Sequence, residues 1–180
     1  MKTLTLLRHA KSGWDDTVAR DVDRPLNGKG KRAAEAVGKH WRSLGLVFDH
    51  VVASPAVRVG ETIAHLQTGY GTDLAPVVDR RIYLASAMTL LDVIHGLPES
   101  ANRVLMVGHN PGLEDLVLML VPDDTADDGL RDTVEEKFPT ASTAEMTFDG
   151  SWADVAASSA TLTRFIRPRD LDPALGPDQD

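Results

Sequence analysis

The 180-residue sequence contains no cysteine, fewer basic than acidic residues and no long hydrophobic run. The absence of cysteine excludes thiol catalysis, disulfide bonds and cysteine-ligated zinc. Asp and Glu outnumber Lys and Arg by 27 to 19, and the net charge of −8 disfavours a polyanionic partner such as nucleic acid. The apolar run near the N-terminus is too short for a signal-peptide core or a membrane span. We therefore expect a soluble cytoplasmic protein that binds neither nucleic acid nor membranes.

Length and composition indicate one compact domain. A hydrophobic fraction of 42% in 180 residues is enough for a single core. We place that domain at residues 1–170. Residues 171–180 are rich in Pro and Asp, and they are predicted to form a flexible tail.

Apolar runs of strand type alternate with segments of helical periodicity, which is typical of an α/β domain. Capping residues mark three helix starts: Asn27, Ser54 followed by Pro55, and Ser86. The predicted strands are 3–7, 50–53, 77–84, 103–108, 143–148 and 161–167, and the predicted helices are 28–44, 54 to about 67, 86–96, and 110 onward.

Two later segments are interpreted from their polarity. Residues 122–137 are acidic and irregular, which indicates a solvated loop, with a lid as the alternative. Residues 143–148 alternate in polarity, which predicts a strand at the edge of the sheet.

Three of the predicted strands end in residues that suit an anion. Arg8 and His9 end the first strand, the second strand leads into a helix whose first turn carries Arg58, and His109 follows the fourth strand. The carboxyl ends of parallel strands share one edge of a sheet, so these four side chains are expected to converge. Helix starts favour an anion there, and guanidinium forks match phosphoryl oxygens. The sequence therefore predicts a phosphoryl-binding site.

Each of these residues also has a purely structural interpretation. His9 could be a structural histidine, Arg8 a surface ion-pair partner, Arg58 a solvated helix residue and His109 a bridge between loops. The convergence of all four favours the site. No metal is expected, since no two histidines have close ligand spacing and no carboxylate cluster accompanies them. The remaining histidines are interpreted as surface or interface residues: His40, His50, His65 and His95.

The ordered motifs resemble the histidine phosphatase superfamily. LLRHAKSGW resembles its RHG signature with Ala10 in the place of glycine, and SPAVRVGET and VGHNPGLE follow in the expected order. The stretches RPLNGKG, FPTAS and RPRDL are similar to the short phosphohistidine phosphatases of the SixA type. The superfamily motifs cover roughly the first two thirds of the chain.

The resemblance implies a fold, a mechanism and site residues. The fold is a three-layer α/β/α sandwich with a mostly parallel central sheet, like that of phosphoglycerate mutase. His9 is the implied nucleophile, and Arg8, Arg58 and His109 surround the phosphoryl group. A neutral imidazole attacks phosphorus, water then cleaves the phosphohistidine, and the cationic side chains make a cofactor unnecessary.

Four further residues are predicted to line the substrate pocket. Lys11, Ser12 and Trp14 follow the nucleophile, and Arg24 lies a little further along the chain. The alternative for these residues is an ordinary exposed loop.

The chain departs from the family pattern at the general acid. Many relatives carry a glutamate after the third strand, and the segment RRIYLAS puts Leu84 near that position. A missing acid favours a substrate whose leaving group is easily protonated, such as phosphohistidine. The alternative is that a nearby carboxylate serves as proton donor: Asp15, Asp16 or Asp23.

Three functions are compatible with these observations. The favoured one is dephosphorylation of protein phosphohistidine. The second is a phosphatase or mutase for small phosphorylated metabolites, although 180 residues leave little room for the insertions of mutases. The third is a non-catalytic module that binds phosphate or phosphoproteins, which would not need a nucleophilic histidine.

Overall fold

The computed structural model describes residues 1–13, 20–123 and 129–177, and its centre is a six-stranded mixed sheet. The strand order across this sheet is β3-β2-β4-β1-β5-β6. Strand β5 runs antiparallel to both of its neighbours and the other pairs are parallel, so the predicted, mostly parallel sheet is confirmed. The strands are β1 (Lys2–Arg8), β2 (His50–Ala53), β3 (Val77–Val78), β4 (Arg103–Gly108), β5 (Thr143–Phe148) and β6 (Thr161–Ile166).

Helices cover both faces of the sheet and complete the three-layer α/β/α sandwich. One apolar core lies between the sheet and α1 and α2, and a second lies between the sheet and α3, α4 and α5. Among the described residues the α-helices are α1 (Gly28–Leu44), α2 (Val57–Tyr70), α3 (Ala87–His95), α4 (Gly112–Leu120), α5 (Leu130–Glu136) and α6 (Pro168–Leu171). No helix in the described part of the chain is long and apolar enough to span a membrane.

The central strands supply side chains to both cores. In β1, Leu6 packs into the core of α3 and α4, and the next residue, Leu7, packs into the core of α1 and α2. In β4, Met106 and Val107 alternate in the same way. Successive residues of a strand point to opposite faces, so a strand covered on both sides is a continuous apolar run. This is why β1 and β4 are recognisable in the sequence.

The first helix begins and ends where the sequence predicts. The Asn27 side chain accepts a hydrogen bond from the Gly30 N–H, which satisfies a free donor of the first turn. At the other end, Gly45 adopts the left-handed conformation with φ 69°, which favours glycine.

The third strand is much shorter than predicted. β3 contains only Val77 and Val78, and residues Arg80–Ile82 form a 3-10 turn instead of a strand. The turn forms because the Asp79 carboxylate accepts a hydrogen bond from the Arg81 N–H and caps it.

Two predictions for the second half of the chain are also wrong. The strand at 143–148 is not an edge strand, because β5 lies between β1 and β6 and shares ladders with both. The segment 122–137 is not wholly irregular, because α5 forms within it and buries Val134. Residues 124–128 lie outside the described residues.

Most of the predicted tail is described. Leu171 ends α6, Pro173–Leu175 form a 3-10 turn, and both Leu171 and Leu175 pack against the core of α1 and α2. Residues 178–180 lie outside the described residues. The domain boundary at residue 170 and the flexibility of residues 171–180 stay predictions.

Candidate active site

The carboxyl ends of β1, β2 and β4 meet at one edge of the sheet. Arg8 pairs with Gly108, and Ala53 pairs with Val107, so the three strands end at the same level. The His9 N–H donates to the Gly108 carbonyl at 3.1 Å. The helix after β1 lies on one face of the sheet and the helix after β4 on the other, which opens a crevice between these strand ends.

A cavity of about 310 Å³ lies at this crevice. It brings together the four residues that the sequence predicts as a phosphoryl site: Arg8, His9, Arg58 and His109. Of the predicted rim residues, Lys11, Ser12 and Arg24 line it, whereas Trp14 lies outside the described residues. The other lining residues are Asp21, Leu84, Asn110 and Thr140.

The His9 ring has a defined tautomer. Its Nδ1 lies 2.7 Å from the Ala10 carbonyl oxygen, and because a carbonyl only accepts, Nδ1 must carry the proton. The lone pair is therefore on Nε2. Burial lowers the pKa of His9 to about 3, with smaller contributions from Arg8, His109 and Arg58. At neutral pH the ring is uncharged, and its Nε2 lone pair is unprotonated.

The segment after His9 is held in place by two helices. The Ala10 N–H donates to Thr62 Oγ1 of α2 at 2.9 Å. On α1, a Cβ at Gly30 would lie 2.1 Å from the Lys11 carbonyl oxygen, so only glycine permits this close approach. These contacts fix the Ala10 carbonyl that orients the His9 ring.

His109 is bound on both sides of its ring. Arg58 Nη2 approaches Nδ1 at 3.3 Å, and since a guanidinium only donates, Nδ1 is the acceptor. The proton on Nε2 is then directed to Ser54 Oγ at 2.7 Å. Burial, and next the charge of Arg58, lower the pKa of His109 to about 4.

Ser54 thus has a role that the sequence did not indicate. The predicted cap of α2 is wrong, because that helix begins at Val57 and its cap position is Ala56. The Ser54 hydroxyl accepts from the Ala56 N–H at 3.2 Å and contacts His109. The serine therefore orients a histidine of the site.

Arg58 is almost completely buried, and it is held by an acidic residue that no sequence motif singles out. Arg58 Nη1 donates to the Asp21 carbonyl at 2.9 Å, and Nη2 donates to Asp21 Oδ2 at 3.0 Å. The Tyr83 hydroxyl donates to the same Oδ2 at 2.5 Å. These donors, Tyr83 first, lower the pKa of Asp21 to about 2, so it is an anion at neutral pH.

The arginines keep donors for a ligand. Arg8 Nη1 donates to the Phe138 carbonyl at 2.9 Å, and Asn110 Nδ2 donates to the same carbonyl at 2.9 Å. The Nε atoms of Arg8 and Arg58 are buried and have no hydrogen-bond partner in the described part of the chain. Buried guanidinium donors of this kind suit the oxygens of an anion.

The predicted rim residues form part of one network. Arg24 Nη2 donates to Ser12 Oγ at 2.6 Å, and Nη1 donates to Asp21 Oδ1 at 2.9 Å. Leu84 forms an exposed part of the cavity wall. Arg24 thereby joins the segment after β1 to the carboxylate beside Arg58.

Carboxylates are scarce around the cavity. Asp21 is the acidic residue among the described residues that line it. Asp23 pairs with Arg20 at 2.9 Å, and Asp15 and Asp16 lie outside the described residues. The cavity therefore combines an uncharged imidazole, the half-buried Arg8, the buried Arg58 and little negative charge, which suits nucleophilic attack on a bound phosphoryl group.

Comparisons with known proteins show which family this chain resembles. The model of the histidine phosphatase superfamily, branch 1, matches residues 4–82. An uncharacterized protein of Mycobacterium tuberculosis is 34% identical over 163 residues, which cover 91% of this chain and 100% of that protein.

Two solved structures described as the putative phosphohistidine phosphatase SixA have the same fold. The one from Nakamurella multipartitia is 29% identical with a TM-score of 0.78, and the match covers 93% of this chain and 96% of that one. The one from Agrobacterium tumefaciens is 28% identical with a TM-score of 0.74, and the match covers 93% and 98%.

Proposed function

Because the chain belongs to the histidine phosphatase superfamily, we propose that it is a metal-independent phosphatase that forms a covalent phosphohistidine on His9 and acts on protein phosphohistidine. The observation that carries this proposal is the uncharged His9 ring, which has its lone pair on Nε2 and lines one cavity with the guanidinium groups of Arg8 and Arg58. The likeness to two SixA structures, both above a quarter identity, supports the substrate class.

The reaction has two displacements at phosphorus. In the first, His9 Nε2 forms a bond to phosphorus, and the bond from phosphorus to the leaving group breaks with its electron pair on that group. In the second, water attacks the phosphohistidine, releases inorganic phosphate and returns the neutral ring. Arg8 and Arg58 offset the charge on the phosphoryl oxygens during both steps, which is the role that a metal ion has in other phosphoryl-transfer enzymes.

His109 responds to the charge of the bound group. Its pKa is lowered chiefly by burial and by Arg58. A phosphoryl dianion nearby would favour its protonated form, because an opposite charge at short range raises the pKa of a histidine. Ser54 would hold the ring at the same angle in either state.

The cavity wall favours an easily protonated leaving group. Leu84 lies where many relatives are expected to have a glutamate, and the carboxylate that does line the cavity, Asp21, is ionised at neutral pH. An alkoxide is strongly basic and leaves slowly without an acid. An imidazole leaving group takes a proton from solvent near neutral pH, since its ordinary pKa is about 6.5.

A panel of substrates with graded leaving groups tests this function. We expect kcat/KM to be highest for a phosphohistidine peptide or phosphoramidate, lower for aryl phosphates and lowest for sugar phosphates. The His9→Ala variant should be inactive on all of them. A flat dependence on leaving-group basicity, or a preference for a sugar phosphate, would contradict the proposal and favour a metabolite phosphatase.

A further inference from the structure

A second groove adjoins the phosphoryl cavity, and we name it the basic groove. It has a volume of about 340 Å³ and shares Arg8, Lys11 and Thr140 with the cavity. Its other lining residues are Lys29, Ala33, Lys137, Pro139, Pro168, Arg169, Leu175, Gly176 and Pro177. A ligand bound through its phosphoryl group at His9 could therefore extend into this groove without leaving the surface.

The charge of the basic groove is opposite to that of the whole chain. Five of its lining residues are Lys or Arg, and none of the described residues that line it is acidic. The chain as a whole has a net charge of −8. A local excess of cations in an acidic protein attracts an anionic partner and repels a basic one.

The floor of the basic groove is apolar. Ala33 and Pro168 are buried, and Pro139, Leu175 and Pro177 complete the apolar lining. The cations come from separate segments: Lys29 from α1, Lys137 from the end of α5, and Arg169 from α6. The cations therefore reach the groove from three different elements of the fold, and they share it with apolar side chains.

The groove is built by packed segments. Lys29 Nζ donates a hydrogen bond to the Gly176 carbonyl oxygen, which joins α1 to the chain after α6. Leu171 and Leu175 pack into the core beneath α1. The residues that the sequence predicts as a tail thus form one wall of the basic groove.

We propose that the basic groove binds an acidic segment of the protein substrate, next to the phosphorylated side chain in the cavity. Two of the three cations that the groove adds to the cavity are lysines, which act as point charges and suit the carboxylates of a peptide. A second phosphate of a small ligand would instead favour rigid guanidinium forks. The apolar floor then accommodates an aliphatic side chain of the same segment. This inference rests on the proposed function, because it requires a phosphorylated protein as the substrate.

Two phosphohistidine peptides that differ only in their neighbours test the proposal. One has Glu on both sides of the phosphohistidine and the other has Gln. We expect kcat/KM to be about five- to tenfold higher for the Glu peptide, since each exposed ion pair contributes a factor of about two to five. Higher ionic strength should reduce this preference, because salt screens exposed charges.

The Lys137→Glu/Arg169→Glu variant links the preference to the groove. Its ratio of kcat/KM for the Glu peptide to that for phosphoramidate should fall at least about fivefold below the wild-type ratio. The control is Lys39→Glu/Arg42→Glu, which changes the net charge equally on exposed parts of α1 away from the groove and should keep the wild-type ratio. Direct binding of the unphosphorylated Glu peptide, measured by fluorescence anisotropy, should weaken only in the groove variant.

The outcomes separate this inference from the proposed function. If phosphoramidate and both peptides are turned over at equal rates, the proposed phosphatase activity stands, but the proposed binding role of the basic groove is contradicted. Equal losses in the groove variant and the charge-matched control would show a general charge effect and would also overturn it. Absence of turnover of every substrate would instead contradict the proposed function.

Discussion

Asp21 Oδ2 accepts a hydrogen bond from Arg58 Nη2 at 3.0 Å, at the wall of the cavity that contains His9. The same carboxylate is bound by Tyr83 and Arg24, and its pKa of about 2 keeps it charged at neutral pH. An anion beside a phosphoryl site reduces the local positive charge. Asp21 therefore contributes by holding the Arg58 guanidinium at a fixed angle, and we assign it as a positioning residue.

The Asp21→Asn variant tests this assignment. An amide cannot hold the guanidinium by charge, so Arg58 should lose its fixed position and kcat should fall on the order of 10- to 100-fold. The loss should be the same for aryl phosphates with good and poor leaving groups, because an ionised Asp21 donates no proton. The control is Asp92→Asn, which changes an exposed carboxylate of α3 outside the cavity and should leave kcat unchanged. A loss confined to poor leaving groups would make Asp21 the general acid.

Replacement of Arg58 by Lys keeps the positive charge but removes the planar guanidinium group with its paired donors. We expect kcat to fall by about 10²–10³, the typical cost of a lost donor to a transition state. Lys also lacks a second terminal nitrogen, so it cannot keep the Nη1 contact to the Asp21 carbonyl together with the Nη2 contacts to Asp21 Oδ2 and His109. The surface change Arg32→Lys on α1 serves as the control. Equal activity of Arg58→Lys and the unaltered protein would contradict the proposed geometry.

The buried histidines give the stability of the fold a defined dependence on pH. The pKa of His9 is about 3 and that of His109 about 4 in the folded chain, against about 6.5 when unfolded. Between about pH 6.5 and about pH 4 the unfolded chain binds more protons, so the free energy of unfolding decreases as the pH falls.

His9→Asn should weaken this dependence. The slope of the unfolding free energy against pH should decrease by up to about 1.4 kcal/mol per pH unit in that window, because one proton fewer is linked to unfolding. Urea unfolding at a series of pH values measures the slope. Identical slopes for the variant and the unaltered protein would mean that His9 titrates in the folded chain as it does in the unfolded one.

The sequence contains the information for the positions of the four residues predicted as a phosphoryl site. Arg8 and His109 come at the ends of strands that are recognisable as apolar runs, and parallel strands bring their carboxyl ends together. Arg58 is placed by the same argument, since it lies in the first turn of α2. Residues adjacent to regular elements were predictable because the elements themselves place them.

The supporting residues were not predictable in this way. Asp21 lies in a 3-10 turn between β1 and α1, and no periodicity distinguishes it from its neighbour Asp23. Tyr83 lies inside the segment predicted as a strand, 77–84, in which residues Arg80–Ile82 form a turn. Only the folded positions of the two turns bring the Tyr83 hydroxyl to Asp21 and show that the two residues support Arg58. The prediction that residues 143–148 form an edge strand was wrong for a similar reason. The alternation of polar and apolar residues along a strand does not show which strands lie beside it.

The central claim is the covalent step on His9, and trapping its product tests that claim most directly. The protein is mixed with phosphoramidate or an aryl phosphate, denatured at alkaline pH during turnover, and analysed by mass spectrometry. We predict one acid-labile phosphate on His9, attached at Nε2 because Nδ1 is bound to the Ala10 carbonyl, and no label or turnover in His9→Ala. A label on another residue, or near-normal turnover by His9→Ala, would contradict the account.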